Sequence, residues 1–166
     1  MFKTLGANRD GPEPWLNQHA DLDRICLAGD SAGANICHHL AVRAGSSAEQ
    51  LGRVKVVALA LIHPFFGDGA GDRLWKYLCS DTTWLRPTAQ DLATLPCRRV
   101  KIFLAEKDSL KFGGWNYDED LKSSGWNGAV ETVEHGGEDH VFHLKMPECE
   151  KAVDLMEKLA CFINLD

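Results

Sequence analysis

Apolar residues gather into four short runs, Arg24–Ala28, Val54–Ile62, Val100–Leu104 and Ala129–Val133, each flanked by Gly, Pro, Asp or Asn. The second and third are nearly continuous in apolar character. A strand buried on one face alternates apolar with polar residues, whereas a continuous run suits a strand covered on both faces of a parallel sheet. Between and after the runs the apolar period lengthens to that of a helix. Following Ser31, residues Ala34, Ile36, Leu40, Ala41 and Ala44 predict a largely buried helix, with Gly45 as its stop. A second helix is expected from about Phe112 to Ser124, ended by Gly125 and weakened at its start by Gly113 and Gly114. In the last segment Pro147 can open a helix, and Ala152, Leu155, Met156, Leu159, Ala160 and Ile163 recur at helical spacing.

Strands alternating with helices predict an α/β fold: a mainly parallel sheet of about four strands with flanking helices and right-handed crossovers. The stretch 67–96 breaks the rhythm with three Gly, two Pro and the separated aromatics Trp75, Tyr77 and Trp84, and is read as a lid-like excursion above the sheet. A length of 166 residues suits a single domain over 1–166.

Composition acts here mainly by exclusion. At 45% hydrophobic and 25% charged residues, the chain matches an ordinary globular protein. Its formal charge of −6 comes from dispersed acids, and no Lys/Arg cluster offers a face for nucleic acid. No stretch approaches the roughly 18 apolar residues that would mark a membrane span. Residues 1–10 lack the apolar core of a secretion signal, so a cytoplasmic protein is expected. The six cysteines form no Cys-x-x-Cys pair and are read as free thiols.

Candidate chemistry begins at Gly29-Asp30-Ser31-Ala32-Gly33, which matches Gly-x-Ser-x-Gly between a predicted strand and a predicted helix. A serine on such a tight turn is thrust clear of the sheet, and both glycines, Gly29 and Gly33, are expected to avoid clashes with the adjoining strand and helix. The helix starting beneath Ser31 favours developing negative charge, and the Ala32 N–H is the expected oxyanion donor.

Triads on this kind of turn follow the chain order Ser, acid, His. Asp108 lies just beyond the run Val100–Leu104, at the carboxyl end of a strand, with Glu106 as a rival two residues closer. His140, in the loop after the fourth run, is the candidate base, with His143 its nearest competitor. Asp118 and Asp120 sit on an expected surface helix, while His38, His39 and His63 read as structural, and His135 belongs to a strand end.

Leu27-Ala28-Gly29-Asp30-Ser31-Ala32-Gly33-Ala34-Asn35-Ile36, Ala105-Glu106-Lys107-Asp108 and Gly137-Glu138-Asp139-His140-Val141-Phe142-His143 together resemble the plant carboxylesterases, in the hormone-sensitive-lipase-like branch of the α/β-hydrolases that also holds the gibberellin receptors. Pro12-Glu13-Pro14-Trp15-Leu16 and Leu95-Pro96-Cys97-Arg98-Arg99-Val100 extend the similarity over nearly the whole chain. The resemblance implies a Ser31–His140–Asp108 triad hydrolysing small-molecule esters through an acyl-enzyme, without metal or organic cofactor. It also implies a family length about twice this one and a His-Gly-Gly-Gly loop upstream of the serine, whose N–H groups complete the oxyanion hole. That loop is absent here, and His135-Gly136-Gly137 is read as a turn. The expectation is therefore the C-terminal half of an α/β-hydrolase fold, N-terminally truncated.

Three readings stay open: a carboxylesterase; a noncatalytic binder of a hormone-like small molecule; and an inactive truncated gene product. In each, the run Arg24–Ala28 would lie at an exposed sheet edge, which invites self-association.

Overall fold

A computed structural model of the chain describes residues 13–46, 54–67 and 86–165. The four apolar runs become four strands, displaced from the expected limits by one or two residues: β1 Ile25–Asp30, β2 Val56–Ile62, β3 Arg99–Ala105 and β4 Ala129–His135. They pair in the order β1-β2-β3-β4, and every pair is parallel.

Side chains of successive strand residues point to opposite faces, so the continuous runs of β2 and β3 feed two cores at once. Leu59, Leu61, Val100, Ile102 and Leu104 pack on one face against Ala34, Cys37 and Ala41 of α2 (Ala32–Ser46) and Tyr117 and Leu121 of α4 (Lys111–Ser123). Ala58, Ala60, Ile62, Phe103 and Ala105 pack on the other against Phe142 of α5 (Phe142–Lys145) and Leu155, Leu159 and Phe162 of α6 (Glu150–Asn164). Each fully buried Leu or Phe contributes about 1.5–3 kcal/mol relative to exposure. The short helix α1 (Pro14–His19) precedes β1.

The two sheet edges differ. On β4, Glu131 and Glu134 are exposed, and edge charge discourages pairing with another strand. The five residues of β1 before Asp30 are uncharged, Ala28 is exposed, and among the described residues no strand pairs with β1 on its second side.

Several helical expectations shift. Helix α2 runs one residue past Gly45, and Ile36, expected inside, is 57% exposed because it shares the face of Gly33 and Leu40 rather than that of Ala34 and Ala41. Helix α6 starts after Pro147, at Glu150, and buries Ala152, Leu155, Leu159 and Phe162. Met156, Ala160 and Ile163 face outward instead. Both stripes have helical spacing, and Phe162 brings the larger side chain to the sheet. Gly113 and Gly114 sit inside α4 because a Cβ on Gly113 would stand 2.5 Å from the Phe66 carbonyl oxygen. Asp118 is buried rather than on the surface: it accepts from Thr132 Oγ1 at 2.9 Å and from Lys122 Nζ at 2.5 Å.

Of the expected excursion, residues 68–85 lie outside the described residues, and Trp75, Tyr77 and Trp84 with them. Its far end contains an unforeseen helix, α3 (Ala89–Ala93), which starts at a reciprocal cap between Thr88 and Asp91. Leu92 and Leu95 then enter the core. The Arg86 Nε–H donates to the Gly67 carbonyl at 2.9 Å and ties the two ends of the excursion together. Cys26, Cys37, Cys97, Cys149 and Cys161 are free thiols, and Cys79 is outside the described residues.

Candidate active site

Parallel pairing sends the carboxyl ends of all four strands to one rim of the sheet, and the candidate residues meet there. Ser31 directly follows β1 with φ 54°, a left-handed backbone that side chains disfavour. Three backbone hydrogen bonds hold it so: its N–H donates to Ile62 O at 2.9 Å, and its carbonyl accepts from Ala34 N–H at 3.1 Å and Phe65 N–H at 3.0 Å. Asn35, buried on α2, adds a hydrogen bond from Nδ2 to Phe65 O at 3.2 Å. The turn tolerates no side chain at Gly29, where a Cβ would stand 2.5 Å from both the carbonyl carbon and the oxygen of Gly33. Gly33 departs from expectation, since a Cβ there meets nothing within 4 Å among the described residues. Asp30, the last residue of β1, is half-buried.

From Ser31 a hydrogen-bonded line runs across the rim. Ser31 Oγ lies 3.0 Å from His140 Nε2, and His140 Nδ1 lies 2.7 Å from Asp108 Oδ2. Asp108 is buried, and its Oδ1 accepts the Leu110 N–H at 2.8 Å. Burial alone would raise its carboxyl pKa. The hydrogen bonds from His140 and Leu110, helped by the nearby imidazoles, outweigh that and hold it below the usual carboxylate range. With Nδ1–H donated to a carboxylate, the neutral ring presents the Nε2 lone pair to the serine O–H, the arrangement that activates a hydroxyl nucleophile. The first N–H groups of α2, starting at Ala32, have no acceptor within their own helix.

The rivals fall elsewhere. Glu106 is exposed and accepts the Gly137 N–H at 2.5 Å, bracing the turn of the His140 loop. Gly137 has φ +75°, and Gly136-Gly137 form a turn directly after His135, the last residue of β4. His143 is buried beside the site, and its Nδ1 has no partner among the described residues. His135 Nε2 pairs with Asp154 Oδ2 at 3.1 Å, and His38 Nδ1 meets the Tyr117 hydroxyl at 3.1 Å inside the core.

His63, expected to be structural, lies beside the triad. His63, just beyond β2, is 1% exposed, and its Nδ1 accepts the Val141 N–H at 3.0 Å. Its only mark in the sequence is its place at a strand end. His63, Asp108 and His140 each offer a ligand atom within 4.8 Å of the others. Both ring nitrogens of His140 and the facing Asp108 oxygen are already engaged in hydrogen bonds, which suits proton transfer better than a metal. A separate cavity of about 670 Å³, bordered by Arg24, Val54, Val56, Arg98 and Leu165, lies at the amino ends of the strands, away from Ser31.

Comparison with known proteins bears on the same fold. Residues 2–144 match the family model described as alpha/beta hydrolase fold. Probable carboxylesterase 2 of Arabidopsis thaliana is 43% identical over 174 residues, covering 92% of this chain and 54% of the relative. Tuliposide A-converting enzyme 1, chloroplastic, of Tulipa gesneriana is 36% identical, covering 98% of this chain and 47% of the relative. The chain thus spans about half the length of the curated relatives it matches. Among solved structures, a fungal esterase from Rhizomucor miehei superposes with a TM-score of 0.69 at 20% identity, covering 90% of this chain and 55% of the esterase. That level of identity speaks for the fold alone. No helix among the described residues is long and apolar enough to cross a membrane.

Proposed function

The chain belongs to the α/β-hydrolase fold family, and from that premise we propose that it carries the nucleophile, base and acid of a serine carboxylesterase: Ser31, His140 and Asp108. Ser31 Oγ attacks the ester carbonyl carbon while His140 Nε2 takes its proton. Asp108 holds the ring in the required tautomer and stabilises the imidazolium. Charge on the tetrahedral oxygen faces the Ala32 N–H and the positive end of α2. His140 then returns the proton to the leaving alcohol, which leaves an acyl group on Ser31, and a water activated by the same ring releases the acid.

The observation that carries this reading is the unbroken line of hydrogen bonds from Oγ to Oδ2, 3.0 and 2.7 Å long. The carboxylesterase names of the Arabidopsis relatives support the substrate class. A noncatalytic binder would need no such line.

The Ala32 N–H is the backbone donor assigned here to the oxyanion, and loss of one such donor costs roughly 10²–10³ in rate. Among the described residues no strand covers the uncharged second side of β1, which favours self-association there. Fluorophosphonate labelling tests the nucleophile: Ser31 is expected to react and the Ser31→Ala chain to stay unlabelled. Labelling that persists in Ser31→Ala would refute the assignment.

A further inference from the structure

The residue next to His140 is held in an unfavourable shape. Val141 has φ +49°, left-handed and β-branched, a combination the backbone adopts only when its surroundings impose it. Its carbonyl lies at the start of α5 and accepts from the N–H groups of Leu144 at 3.0 Å and Lys145 at 3.4 Å. Its own N–H points the other way, to His63 Nδ1 at 3.0 Å.

His63 is itself immobilised. Its N–H donates to Phe103 O at 2.8 Å, its φ is +44°, and its ring packs 5.8 Å from the ring of His140, 5.5 Å from Phe142 and 5.4 Å from His143, centroid to centroid. Accepting at Nδ1 places the proton on Nε2, which is buried without a partner among the described residues. A buried donor left unpaired is costly. A leucine or phenylalanine would fill similar space without that cost, so the acceptor at Nδ1 is what the imidazole adds.

We propose that His63 is a positioning residue: by accepting the Val141 N–H it sets the backbone turn that aims the adjoining His140 at Ser31. The idea rests on His140 being the base proposed above. Positioning of this kind requires a neutral ring. The ionisable groups around it are His143, Asp108, His140 and His135, and burial, reinforced by His143, holds His63 down at about 4 against the opposing pull of Asp108. The ring therefore stays an acceptor across the pH range in which esters are hydrolysed by a neutral base.

Two variants separate the acceptor from the packing. His63→Asn keeps an oxygen near the position of Nδ1; His63→Leu removes the acceptor. Ser31 phosphonylation is expected to stay within about a factor of three in His63→Asn and to slow roughly ten-fold or more in His63→Leu, since misplacement by about 1 Å can cost ~10²-fold. The downfield proton NMR signal of His140 Nδ1–H should persist in the first variant and broaden or vanish in the second. Equal labelling and an unchanged signal in both would overturn the proposal. So would equal losses in both with melting temperature preserved. If His63→Leu fails to fold, amide hydrogen exchange decides: Val141 N–H is expected to be protected in the unmodified chain and in His63→Asn, and rapid exchange in either would overturn it. Should Ser31 prove unreactive in the unmodified chain, the esterase reading fails, while the NMR and exchange measurements still judge His63.

Discussion

His140 Nδ1 and Asp108 Oδ2 lie 2.7 Å apart although 32 residues separate them along the chain, and the contact comes from the parallel pairing of β3 with β4. The register sets Ala105 beside His135, so the loops leaving these two strands emerge side by side. A carboxylate and an imidazole placed on those loops meet without either reaching far.

Asp108→Asn is therefore expected to keep the fold and lose the chemistry. The amide can donate to Nδ1 and favour the tautomer with its proton on Nε2, which cannot accept from Ser31. Ser31 phosphonylation should fall by about 10²–10⁴. Circular dichroism would establish that the fold survives; an unchanged labelling rate would refute the role of Asp108.

Acid should destabilise the chain earlier than carboxylate titration would. Burial lowers His38 to about 3 and His63 to about 4 from an ordinary value of 6.5. A histidine whose folded pKa is depressed binds more protons when unfolded. Its contribution is thus complete above pH 6.5 and is lost as pH falls toward the folded value. Each such group costs at most about 1.4 kcal/mol per pH unit in that window. Asp108, held below 3.8, adds to the loss only at lower pH. Thermal melts should show a falling midpoint between pH 6.5 and 4, with a shallower slope in His63→Asn; a flat profile would contradict the neutral burial of these rings.

The two glycines of the nucleophile turn should separate cleanly. Gly29→Ala drives a methyl into the Gly33 carbonyl at 2.5 Å and is expected to abolish Ser31 labelling or prevent folding. Gly33→Ala meets no atom within 4 Å among the described residues and exchanges a poor helix former for the best, for a gain of up to about 1 kcal/mol. Denaturant melts of both variants check this. Equal damage from both would mean that Gly33 has a neighbour beyond the described residues.

The self-association proposed above should respond to charge on β1. Ala28 is exposed on β1, an edge strand among the described residues, and a lysine there opposes pairing of one copy with another. Ala28→Lys is expected to shift the chain toward monomer in sedimentation velocity at matched concentration. A distribution identical to that of the unmodified chain would place the contact elsewhere.

Much of the architecture is legible in one dimension because its causes are local. The run Val54–Ile62 is apolar at every position but Lys55, a pattern suited to a strand covered on both faces, so β2 and β3 are legible in the residues. The Ser31 turn is equally local, since strand, Gly29, serine and helix are consecutive. The face buried by α6 is not of this kind. Its apolar residues form two stripes of equal spacing, and packing against Ala58, Ala60 and Phe103 selects the one containing Phe162.

The site divides along the same line. Residue types and their order narrow the acid to Glu106 or Asp108 and the base to His140 or His143, and only the resemblance to the plant carboxylesterases singles out Asp108 and His140; spacing alone does not separate them. Strand register does so, because it fixes which loop ends lie within hydrogen-bonding reach of Ser31 across 109 residues of chain. His63 belongs wholly to that second category. Its contact with Val141 joins the ends of two strands 78 residues apart, and hydrogen bonds act over distances in space that spacing in sequence does not record.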